Sequence, residues 1–70
     1  MKINDSKQFG AAIRERRKAL RYTQGYLSEF PGFSVSFISD LENGKATAEL
    51  GKALHIASIL GLDIELNGRD

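Results

Sequence analysis

Between Thr23 and Gly44 the chain reads TQGYLSEFPGFSVSFISDLENG, a stretch crowded with short hydrogen-bonding side chains. Ser36 and Ser39 carry hydroxyls that can donate to or accept from an outside group. Gln24 and Ser34 stand at the expected starts of two helices, where free N–H groups and the helix dipole favour an anion such as phosphate. Asn43 and Lys45 add an amide and an ammonium just beyond the second of these helices. This is the chemistry of binding. Catalysis finds no support, because no nucleophile is accompanied by a base and an orienting group. His55 is the only histidine and cysteine is absent, so neither a disulfide nor a zinc site of three or four ligands can be assembled, and no metal or cofactor is expected.

The elements that position these residues occupy 70 residues, enough for one domain near the lower size limit for a self-sufficient core, so dimerisation would help it fold. No apolar run approaches the roughly 18 residues of a membrane span, and the N-terminus lacks an apolar signal core; a cytoplasmic protein with no membrane partner is expected. The net charge of +1 hides an asymmetry. Residues 1–21 hold seven cations (Lys2, Lys7, Arg14, Arg16, Arg17, Lys18 and Arg21) against Asp5 and Glu15, a balance of +5. Residues 22–70 hold three cations against seven carboxylates, a balance of −4. A basic N-terminal third suits a polyanionic partner, although a solvated helix face would show the same charges.

Asp5 with Gln8 three residues on fits a capping box, and Phe9, Ile13, Arg16, Arg17 and Leu20 then recur at helical spacing, predicting a helix from about Ser6 to Leu20. Thr23 caps a second helix carrying Leu27 and Phe30 inward, ended by Pro31-Gly32. Ser34 caps a third through about Glu42, with Phe33, Ile38 and Leu41 inward, closed by Asn43-Gly44. Thr47 is the expected cap of a fourth, whose stripe is Leu50, Ala53, Leu54, Ala57 and Leu60. Ile56 and Ile59 lie off that stripe and require another cover; His55 falls on its flank, at the surface. After Gly61, Leu62-Asp63-Ile64-Glu65-Leu66 alternates with the period of two of a half-buried strand. Such a strand has no partner in its own chain, so antiparallel pairing with a second copy is expected. Ile56, Ile59, Leu62, Ile64 and Leu66 would then form the dimer interface. Residues 1–61 make the binding domain, and residues 62–70 the dimerisation strand and tail.

The 23–44 segment resembles the helix-turn-helix of the lambdoid-repressor and XRE class through Thr23, Gln24, Leu27, Gly32, Ser34, Ser36, Ile38, Ser39, Leu41, Glu42, Asn43 and Gly44. Phe9-Gly10 and Ile13 to Arg17 look like the first helix of that class. Leu50 to Leu54, and Leu60 to Leu66, are similar to a narrower branch, the HipB-like antitoxins. The resemblance implies an all-α, lambda-repressor-like domain of four to five helices with a short C-terminal β-strand paired across a homodimer. It implies a repressor of operator DNA and, on the narrower branch, an antitoxin that represses its own operon and binds a HipA-like kinase toxin. A protein-interaction adaptor that neutralises a partner, and a phage-type repressor without a toxin, are the alternatives.

The major groove, about 12 Å wide, admits one helix whose first turn reaches base edges. With Phe33, Ile38 and Leu41 inward, Val35, Ser36, Phe37 and Ser39 of the third helix point out as base contacts, joined by Asp40 where it can accept from cytosine N4, and Phe37 could pack on a thymine methyl. Gln24, Ser34, Asn43 and Lys45 are the candidate phosphate contacts. Ser34 serves equally as a plain N-cap, Phe37 as a packing residue and Asn43 as a C-cap. Arg17 and Glu42, by the resemblance, form a structural ion pair. Gly25 and Tyr26 replace the acidic residues usual early in the second helix, Asp40 stands where a basic or amide residue is common, and Pro31 shortens the second helix.

Overall fold

The structure, a computed structural model, describes residues 1–70: four helices, α1 (Ser6–Ala19), α2 (Gln24–Ser28), α3 (Val35–Glu42) and α4 (Leu50–Ile59), and no strand. The first three begin where a side chain takes up an N–H that the first turn leaves without an intrahelical partner. Asp5 Oδ1 accepts from the Gln8 N–H at 2.7 Å, and Gln8 Oε1 accepts from the Asn4 N–H at 2.7 Å. Thr23 Oγ1 accepts from Tyr26 N–H at 2.9 Å, and Ser34 Oγ from Phe37 N–H at 3.0 Å. α4 differs from expectation. Its N-cap is Glu49, which makes no side-chain capping bond. Thr47 instead falls inside a turn closed by the Ala48 N–H on Lys45 O at 3.2 Å.

Helix ends are as specific as the starts. α1 closes with the Tyr22 N–H on Arg17 O at 3.0 Å and the Arg21 N–H on Lys18 O at 2.9 Å, the bond pair of a Schellman motif. α3 and α4 end in the same way around Gly44 (φ 84°) and Gly61 (φ 72°). In α1 the left-handed residue is Arg21 (φ 62°), which carries a Cβ where the other two carry none. α2 lasts five residues and continues in i→i+3 bonds at Glu29 and Phe30 before Pro31 and Gly32 turn the chain into α3.

Eight side chains form the core: Ile13 from α1, Leu27 from α2, Ile38 and Leu41 from α3, Ala53, Ile56 and Ala57 from α4, and Leu60 at its end. α4 is therefore rotated relative to the sequence reading. Ile56 is fully buried, whereas Leu50 is 70% and Leu54 42% exposed. The helix carries two interleaved stripes at spacings of three and four that share Ala53, Ala57 and Leu60. Packing selects the one containing Ile56. A side chain with no exposed surface in the single chain cannot lose surface to a second copy, so Ile56 is withdrawn from the dimer-interface set; Ile59 stays half-buried at the core edge.

α1 and α3 meet backbone to backbone. A Cβ on Gly10 would lie 2.2 Å from Leu41 O and 2.8 Å from Glu42 O, so only glycine fits there. At the neighbouring contact Ser6 Oγ donates to Gly44 O at 2.9 Å. Beyond α4, the expected strand segment forms no regular structure in the single chain, which offers it no ladder partner. Leu62 rests half-buried against the core, its N–H on Ala57 O at 2.9 Å, while Ile64 is 47% and Leu66 96% exposed.

Candidate nucleic-acid interface

α3 buries Ile38 and Leu41 on one side, which turns Val35, Ser36 and, half-buried, Ser39 to the other. Val35 is nearly half exposed and Ser36 is exposed, so an aliphatic surface and a free hydroxyl stand side by side at the start of the helix. Ser34 Oγ is already an acceptor for the cap, and its O–H remains to donate outward. At the far end Asn43 is exposed, with Nδ2 3.5 Å from Ser39 Oγ. Lys45 Nζ lies 3.4 Å from Asp40 Oδ2 with both side chains about half exposed, so the cation partly offsets the one carboxylate on this side of α3. In water such a pair holds loosely and leaves Lys45 free to exchange partners.

Phe37 does not stand free on this surface. Its ring stacks on Phe33 at a centroid distance of 6.0 Å, and Lys52 Nζ lies 5.6 Å from its centroid. Phe33 in turn packs beside exposed His55 at 5.3 Å. Phe37 is thus half-buried between Phe33 and Lys52, and only part of it is open to a ligand.

Gln24, at the start of α2, donates from Nε2 to Glu42 Oε1 at 3.0 Å. Glu42 also receives Arg17 Nε on Oε2 at 2.6 Å and a second guanidinium N–H on Oε1 at 2.9 Å, a two-pronged ion pair. The third guanidinium nitrogen donates to Tyr22 O at 2.8 Å, so Arg17 ties the end of α3 to the α1–α2 connection. Burial pushes the Glu42 carboxyl up, but hydrogen bonds from Arg17 and Gln24, with the charges of Arg17 and Arg14, outweigh it and hold the group below its ordinary range. The bond to Glu42 raises Arg17 against the opposing effect of burial. Both groups are ionised at neutral pH, and no buried side-chain polar atom lacks a partner.

The sequence-derived polar set therefore converges along α3 and the start of α2. The positions read as dimer contacts lie apart, on α4 and the tail. Two features escaped the sequence reading. Tyr22, Tyr26 and Phe30 form an aromatic row with centroids 4.7 and 5.7 Å apart, and Tyr26 is 43% exposed. Arg14 and Lys18 face the groove that Glu42 lines, a placement signalled only by the excess of cations in the first 21 residues.

Three comparisons bear on this arrangement. A family model described as helix-turn-helix matches residues 13–67. The chain is 37% identical over 65 residues to an uncharacterized HTH-type transcriptional regulator, y4mF, of Sinorhizobium fredii, covering 93% of this chain and 86% of the relative. It is 31% identical over 62 residues to the ImmF control region 10 kDa protein of Bacillus phage phi105, covering 89% and 69%. Among solved structures, HipB in complex with an O4 20mer superposes with a TM-score of 0.87 at 26% identity, over 100% of this chain and 99% of that one. A HipB variant in complex with an O2 20mer gives the same score and identity, covering 97% of that chain.

Proposed function

The chain belongs to the XRE-type helix-turn-helix family of DNA-binding transcriptional regulators, and from that premise we propose that it is a dimeric repressor that reads its operator through α3. The observation that carries this reading is the outer side of α3, where Val35 and Ser36 are exposed, Ser39 is half-buried, and partners for phosphate stand at both ends. α3 enters the major groove, with Val35 against a thymine methyl and the two serine hydroxyls on base edges. The open part of Phe37 borders the same groove. Ser34 O–H and the free N–H groups of the first turn of α3 take one phosphate. Asn43 and Lys45 take the backbone across the groove, and Gln24, held by Glu42, offers its second amide N–H to the strand near α2.

Residues 1–61 form the reading domain, and residues 62–70 pair across a two-fold axis. Exposed Ile64 and Leu66, with half-buried Ile59 and Leu62, supply the apolar cover that a single chain leaves open. Two reading helices related in this way fit half-sites about 34–36 Å apart. The likeness to HipB along the full chain supports the antitoxin branch, with a HipA-like kinase toxin as the second partner, in a cytoplasmic protein that represses its own operon. The likeness to the phage phi105 control-region protein favours a second reading, a phage-type repressor that holds no toxin.

Selection from a pool of random duplexes, followed by titration, tests the repressor. An enriched sequence bound about 10³-fold or more tighter than random duplex supports it, and failure to enrich any sequence refutes it. Co-purification with a HipA-like kinase separates the two branches.

A further inference from the structure

Residues 14, 17 and 18 stand at the spacing of one face of α1, and Arg21 follows just past the end of that helix. In the middle of that face Arg17 is buried and neutralised by Glu42. Around it Arg14, Lys18 and Arg21 are exposed, and none makes an ion pair. Arg14, Lys18, Glu42, Ala11 and Glu15 line one shallow groove, in which Glu15 is the only exposed carboxylate. The groove abuts the end of α3, because Glu42 is the last residue of that helix and also holds Gln24. Arg21 occupies a left-handed backbone position that glycine fills at the two other equivalent helix ends, Gly44 and Gly61. Arg21 thus carries a backbone cost that glycine avoids at the other two ends.

From this placement we infer that Arg14 and Lys18 on α1, with Arg21 just past its end, form a phosphate-binding stripe that grips the sugar–phosphate backbone of the same duplex that α3 reads. The inference rests on the DNA reading above and extends it to a helix outside the helix-turn-helix. From residue 14 to residue 18 the stripe runs about 6 Å along α1, and Arg21 carries it past the helix end toward a further phosphate. A lipid surface is a poor match, since the apolar side of α1, carrying Phe9 and Ile13, is committed to the core and leaves nothing to insert.

The experiment measures the affinity of the full chain for its selected duplex across salt concentrations. Arg14→Ala, Lys18→Ala and Arg21→Gly should each lower the slope of log affinity against log salt by about 0.9. Between 50 and 200 mM salt the wild-type loss of affinity should shrink about 3.5-fold for each cation removed and about 40-fold for the triple variant. Discrimination between the selected and a random duplex should be unchanged, because phosphate contacts carry no sequence information. Arg21→Gly relieves backbone strain, so its urea midpoint should equal or exceed that of wild type. A wild-type slope in the triple variant overturns the stripe and leaves the DNA reading intact. So does an equal drop for Arg69→Ala, which would reduce the effect to net charge. A chain for which no duplex can be selected overturns both.

Discussion

Replacing Glu42 by alanine strands the most expensive polar group in the molecule. The Glu42 side chain is 2% and the Arg17 side chain 9% exposed, and the carboxylate receives three hydrogen bonds, two from Arg17 and one from Gln24. Alanine leaves the guanidinium buried with only its bond to Tyr22 O. Removing one partner of a buried pair costs about 3–5 kcal/mol. A domain of this size has a total stability of about 4–10 kcal/mol, so Glu42→Ala should lose a third or more of it and shift the urea midpoint sharply down. The paired change Arg17→Met with Glu42→Leu removes both charges while keeping volume, and should return to within about 1–2 kcal/mol of wild type. Urea unfolding followed by far-ultraviolet circular dichroism measures all three variants with the wild type. The pair also sets an acid limit. Because the folded state holds Glu42 below its ordinary range, its contribution is complete above the unfolded value of about 4.3 and is lost as pH falls through the lower folded value. That acid-dependent loss should vanish in the paired variant. A cost below about 1 kcal/mol for Glu42→Ala, or a paired variant no more stable than the single one, would refute the reasoning.

Gly10→Ala drives a methyl into the Leu41 and Glu42 carbonyls and should lower stability by about 3 kcal/mol or more, read from the urea midpoint. Ser36→Ala should weaken the selected duplex while leaving random duplex unchanged, whereas Gln24→Ala should weaken both, as gel-shift titration can show. Ile64→Asp should sediment as a monomer and lose most operator affinity; unchanged sedimentation would remove residues 62–70 from the interface.

Much of the architecture was legible because its signals are local. Asp5, Thr23 and Ser34 each cap the helix that follows, and a short oxygen-bearing side chain needs only its own next turn to act. Gly44 and Gly61 mark their helix ends for the same reason. What the sequence could not resolve depends on partners distant along the chain. α4 presents two apolar stripes, and only its approach to the other helices chooses Ile56 over Leu54. Phe37 is compatible with either side of α3 until Phe33 and Lys52 close around it. Arg21 carries no mark of positive φ, because arginine reaches that conformation only when the surrounding bonds impose it. At the candidate interface, the polar residues were visible as types, but the capture of Gln24 by Glu42 required both helices in place.

The backbone contact at Gly10 leaves no flexible cushion between α1 and α3. With the Arg17 clamp beside it, the two helices behave as the fixed jaws of a gauge, unable to widen or narrow to suit a duplex. If α3 reads an operator as proposed, the adjustment falls on the DNA. Operators whose groove already matches the gauge would then be favoured over those that must be twisted or bent to fit, and base pairs that no side chain touches would also contribute to selection.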